Sequence, residues 1–110
     1  MKWQHQDLAN GRWFELNFIE QMGNVGSEVE RSIKWKEKGN QEQSWGAVTR
    51  FIELIFLTIQ DPKNKLKLKE MCQVKELFLD FIIGENQYHQ TKEQWQRYFY
   101  QFAYAARRGK

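Results

Sequence analysis

The chain has little of what usually announces a chemistry. It holds one cysteine, one proline and two histidines in 110 residues. A single cysteine, Cys72, excludes an intrachain disulfide. No histidine lies close to it in the sequence, so neither a thiol nucleophile nor a zinc site is indicated, and we read Cys72 as a small core residue. His5 and His89 lack the Glu-x-x-His spacing of carboxylate-bridged metal sites in helical bundles. No apolar run reaches the ~18 residues of a membrane span. The densest, Phe51 to Ile59, is broken by Glu53. The opening MKWQHQDLANGR lacks the apolar run of a signal peptide. A soluble, cytoplasmic protein with no membrane partner is the expectation. Neither charge sign dominates, with 17 basic and 14 acidic residues and a net charge of +3.

Aromatic residues are abundant instead, at 15% with five tryptophans. Scarce proline and few β-branched runs favour helices. Phe14, Phe18, Met22, Val25, Val29 and Ile33 recur at the period of one helix face. Beside them lie Gly23, Gly26 and Ser27. Each mid-helix glycine costs about 1 kcal/mol against alanine, so close approach by another helix or an aromatic ring is expected there. The GNVG of Gly23 to Gly26 lies inside this pattern and follows no strand, so it is not a nucleotide loop.

The first helix is expected from about Arg12 to Lys38, ended by Gly39. Asn40 caps a second helix, Gln41 to Gln60, with Gln43 three residues on. Its inner stripe reads Trp45, Val48, Ile52, Ile55 and Ile59. Asp61-Pro62 is a cap succeeded by a first-turn proline. A third helix runs to Ile83, with Met71, Val74, Phe78 and Phe81 inward, and Gly84 ends it. Thr91 and Gln94 form a capping box for a fourth helix carrying Trp95, Phe99, Phe102 and Ala106. The chain thus reads as one all-α domain over 1–110, with an irregular lead-in over 1–10 whose Trp3 and Leu8 dock on the bundle. Short loops imply an up-down-up-down antiparallel four-helix bundle. Helix one is the longest and should overhang its partners by ~10 Å.

In that topology one end gathers Lys2, Arg12, Lys63, Lys65, Lys67, Lys69, Arg107, Arg108 and Lys110. Asp7, Glu15, Asp61 and Glu70 oppose them. Nine bases against four acids leave +5 there, and eight bases against ten acids leave −2 elsewhere. Such an end suits phosphate backbones or an acidic protein. Solubility and helix-dipole matching also favour basic helix ends. The overhang and the aromatic surplus call for a second subunit, so a homo-oligomer, dimer or larger, is expected.

The runs GNVGSEVERSIKW, RFIELIFLTI and FAYAARR resemble small uncharacterised bacterial helical-bundle proteins over most of the chain. A looser similarity, through Asn24, Val25 and Arg31, is to the four-helix bundles encoded in ribosomal RNA intervening sequences. Their relatives assemble into rings and bind nucleic acid through basic surfaces, which is what that resemblance implies here.

Two functions fit. One is a non-enzymatic, self-associating binding or scaffold protein whose basic end contacts nucleic acid. The other is a small metal-dependent hydrolase or nuclease using inward carboxylates of helices one and two, with Glu20 and Glu53 holding magnesium and Arg50 close by. No cofactor is indicated.

Overall fold

The computed structural model describes residues 11–108, which form four α-helices, two short 3-10 segments and no strand. The helices are α1 (Phe18–Glu37), α2 (Gln41–Gln60), α3 (Leu68–Ile83) and α4 (Lys92–Arg108). The lead-in with Lys2, Trp3, His5, Asp7 and Leu8 lies outside the described residues, as do Gly109 and Lys110.

The expected first helix is broken. Arg12–Glu15 is a 3-10 turn, and Leu16 and Asn17 are extended (φ −81°, ψ 145° and φ −76°, ψ 170°). A capping box causes the break. Asn17 Oδ1 accepts from the Glu20 N–H at 2.8 Å, and the Glu20 carboxylate accepts from the Asn17 N–H at 3.0 Å. Phe14 therefore leaves the stripe and is exposed, while Met22, Val25, Val29 and Ile33 are buried. With α1 and α2 both 20 residues long, the expected overhang does not arise.

The end of α1 is set by Gly39. Its φ of 76° is left-handed, a conformation glycine adopts without the Cβ penalty. The Gly39 N–H reaches the Lys36 carbonyl and the Asn40 N–H reaches Trp35, closing the last turn. Asn40 then caps α2 by accepting from the Gln43 N–H at 3.0 Å.

The α2 core face differs from the expected stripe. Ser44, Ala47, Val48, Phe51, Leu54, Ile55, Leu57 and Thr58 are buried, whereas Trp45 and Ile52 are exposed and Ile59 is half-buried. α2 touches α1 and α3, so its buried arc is broad and is centred away from Trp45.

Asp61 caps as expected, accepting from the Lys63 N–H at 3.1 Å. Pro62–Lys67 is a 3-10 segment with a kink at Asn64, and regular helix begins only at Leu68. Met71, Val74, Phe78 and Ile82 are buried on α3. Phe81 is half-buried, and Cys72 is half-buried instead of lying in the core. Thr91 and Gln94 form a reciprocal capping box at α4.

α1 packs against α2 and α4, and α2 against α3. Rings link the layers. Phe51 meets Phe78 at 4.9 Å between centroids, Phe78 meets Trp95 edge-on at 5.3 Å, and Phe18 meets Phe102 edge-on at 5.8 Å. Such geometries add about 0.5–1.5 kcal/mol per pair beyond area burial.

Candidate nucleic-acid interface

A buried polar network joins the 3-10 turn, α1, α2 and the Pro62–Lys67 segment. Trp13 Nε1 donates to Thr58 Oγ1 at 3.0 Å. Gln21 Nε2 donates to the Trp13 carbonyl at 3.1 Å and to Asp61 Oδ2 at 2.9 Å. Asn64 Nδ2 donates to Gln21 Oε1 at 2.8 Å and to the Thr58 carbonyl at 3.0 Å. Burial alone raises the Asp61 carboxyl, but hydrogen bonds from Lys63 and Gln21 and the Lys63 charge outweigh it, holding the pKa below the ordinary aspartate value. Its members are bonded to one another, so the network serves as a clamp that fixes the segment carrying the lysines.

The sequence-expected basic residues do not share one role. Lys63 belongs to the clamp, since its ammonium donates to the Phe14 carbonyl at 3.0 Å and to the Asp61 carboxylate. Lys67 sits over the Phe18 ring, 5.8 Å from its centroid. Arg12, Lys65, Lys67 and Lys69 are exposed. Leu66, between two of these lysines, is 97% exposed. Arg107 lies over Tyr100 and Arg108 over Tyr104, at 6.0 and 5.7 Å. Lys65, Lys67, Lys69, Arg107 and Arg108 make no ion pair among the described residues. Through Phe18, the start of α1 touches both Lys67 and Phe102, so the lysine segment and the last turns of α4 flank the same helix end. Lys110 lies outside the described residues.

The acids divide differently from expectation. Glu20 is exposed and engaged in the capping box, so it does not form an inward pair with Glu53. Glu28 and Glu53 are the buried carboxylates of α1 and α2. Glu28 accepts from Arg50 Nε at 3.2 Å and from Arg31 at 3.1 Å, so two cations neutralise it. No group of three or more histidine, cysteine, aspartate or glutamate side chains is arranged for a metal among the described residues. Glu70 accepts from the Tyr98 hydroxyl at 2.6 Å. Burial, then this bond, raises the Tyr98 phenol far above its ordinary value.

Comparison with family models, curated proteins and solved structures finds no match for the chain. The resemblance to bacterial bundle proteins therefore stays a reading of residues. No helix among the described residues is long and apolar enough to cross a membrane.

The small residues of α1 also separate. A Cβ built on Gly26 would lie 2.9 Å from Phe99 Cβ. At Gly23 it would meet none of the described residues within 4 Å, so the close approach expected there does not occur. Ser27 is exposed and donates to the Gly23 carbonyl at 3.3 Å. Gly23 and Ser27 instead line an outer groove of about 320 Å³ with Gln96, Tyr100 and Ala103 of α4.

Sequence reading missed Gln21, Thr58 and Asn64, whose partners lie up to 45 positions away. It also passed over Tyr100 and Tyr104 of α4, which stand at i, i+4 with Arg107 and Arg108 over their rings.

Proposed function

We propose that this protein is a non-enzymatic, self-associating scaffold of the cytoplasm that contacts nucleic acid through its basic end. The observation that carries the reading is the set of exposed cations, Lys65, Lys67, Lys69, Arg107 and Arg108, flanking one end of α1 and free of ion pairs with described residues. The clamp below the lysine segment lets the charges be presented without disturbing the core. Contacts of this kind neutralise phosphates irrespective of sequence.

The reading includes an up-down-up-down antiparallel order. It is supported by the bond of 2.7 Å from Lys36 to the Ile82 carbonyl and by the Lys92–Glu37 ion pair, both at the α1 C-terminal end. The Lys63–Phe14 and Phe18–Phe102 contacts support it at the opposite end. Self-association is supported by apolar side chains left in water, chiefly Trp45, Ile52, Leu66 and Ile83.

Fluorescence anisotropy of a labelled oligonucleotide at low salt tests the proposal. The wild type binds, and the Lys65→Gln, Lys67→Gln, Arg107→Gln, Arg108→Gln variant loses most affinity while melting at an unchanged temperature. Equal binding by the variant removes these residues from the interface.

A further inference from the structure

α4 turns its best-packed face inward and still carries large aromatic rings on the outside. Tyr100 is 58% exposed and Tyr104 is 47% exposed. The pair stands at i, i+4 with ring centroids 6.1 Å apart and planes inclined by 25°. Each has an arginine over its ring, Arg107 on Tyr100 and Arg108 on Tyr104. Arg97, one turn before Tyr100, is also exposed. The result is a strip in which two adjacent tyrosine rings are flanked by Arg97 on one side and by Arg107 and Arg108 on the other, running from the basic end along the outer side of one helix.

A purely solubilising surface has no use for such rings, because lysine or glutamate covers a helix at lower apolar exposure. A duplex-binding surface has little use for them either, since bases inside a duplex keep their faces covered by stacking. Exposed rings beside cations suit the unstacked bases of a single strand, where each base lays its face on a ring and each phosphate meets a guanidinium. We infer that Tyr100 and Tyr104, with Arg97, Arg107 and Arg108, form a stacking platform for single-stranded nucleic acid. This rests on the nucleic-acid reading above and names its ligand class and the residues that select it. The arginines lying over the rings hold the platform in shape when empty and turn to phosphate when a strand is bound. Selectivity comes from the tyrosines, and the salt-dependent part of affinity comes from the arginines.

The test is an anisotropy titration with labelled oligothymidylate of about 12 nucleotides, within the site size of small single-strand binders, against a duplex of equal length. Proteins compared are the wild type, the Tyr100→Leu, Tyr104→Leu variant and the Tyr100→Phe, Tyr104→Phe variant, each checked for an unchanged melting curve. The wild type should prefer the single strand. The leucine variant should lose roughly ten-fold or more in single-strand affinity, with duplex binding and salt slope little changed. The phenylalanine variant, which keeps the rings, should bind like the wild type. Equal affinity for strand and duplex, unaffected by leucine, overturns this inference and leaves the basic-end reading standing. Unchanged binding with loss of self-association makes the strip a contact between copies, which also overturns it. Absence of binding to either probe at low salt overturns both.

Discussion

Gly26 of α1 lies so close to Phe99 of α4 that a Cβ on the glycine would come within 2.9 Å of both Cβ and Cδ1 of the phenylalanine. Real Cβ atoms do not sit there, so the helix–helix distance depends on the missing side chain. Gly26→Leu should overpack this contact and cost about 1–3 kcal/mol. Gly23, three residues earlier and clear of neighbours, should behave oppositely, Gly23→Ala gaining up to about 1 kcal/mol from helix propensity. Urea unfolding midpoints measure both. A leucine at 26 that leaves the midpoint unchanged would mean that α4 stands farther from α1.

The clamp should be costly to open. Gln21 is fully buried and bonded to Trp13, Asp61 and Asn64. Gln21→Leu keeps the bulk but deprives the Trp13 carbonyl, Asp61 and the Asn64 amide of a partner. Each keeps another bond, from the Leu16 N–H to the Trp13 carbonyl, from Lys63 to Asp61 and from the Asn64 amide to the Thr58 carbonyl. The total loss is therefore that of a partly broken buried network, about 1–3 kcal/mol. Denaturation should show a loss in that range. A neutral result would show that water takes over the bonds.

Two groups with shifted pKa contribute to the pH dependence of stability, one on the acid side and one on the alkaline side. Asp61 has its folded pKa lowered. Its contribution is therefore present above its unfolded value near 3.8 and is lost as pH falls through the lower folded value. Tyr98 is the reverse, with its folded pKa raised. Its contribution is whole below the unfolded value near 10.0 and is lost as pH rises beyond it. Melting temperature against pH should fall at both limits. Asp61→Asn should flatten the acid limb and Tyr98→Phe the alkaline one. A variant that leaves its limb as steep as in the wild type would assign that limb to other groups.

Most of what the sequence made legible was local. Gly39, the Asn40 cap, Asp61-Pro62 and the Thr91–Gln94 box mark element ends because each acts on residues within one turn. The break at Leu16 had a local signal too, Asn17 with Glu20 three residues on. It was masked because the Phe14-to-Phe18 step fits a continuing helix. The face of α2 was not legible, since apolar residues surround it and the periodicity does not single out one direction. The clamp was out of reach for another reason. Nothing near Gln21 in sequence says that its amide meets Asp61, 40 positions away. The basic end was visible as charge, but Lys63 looked like its neighbours and is instead bonded to Phe14 and Asp61.

The proposal of self-association does not need an overhanging helix. It rests on exposed apolar side chains, including Trp45 at 47% and Ile83 at 47% beside a cleft of about 370 Å³ near the α1–α2 turn. Sedimentation at micromolar concentration should give a dimer or larger species. A strict monomer would leave these side chains as isolated surface residues and remove the scaffold part of the proposal.

The central claim is phosphate contact by the exposed cations, and its most direct measurement is nucleic-acid affinity as a function of salt. With roughly four to six phosphates neutralised, log affinity against log salt should fall with a slope of roughly −3 to −5. Lys65→Gln, Lys67→Gln, Arg107→Gln and Arg108→Gln together should flatten that slope with thermal stability nearly intact. Lys63→Gln alone should lower stability and hardly move the slope, because its ammonium is already taken by Phe14 and Asp61. An absence of binding to DNA or RNA at low salt, or a slope that the four substitutions leave unchanged, contradicts the account.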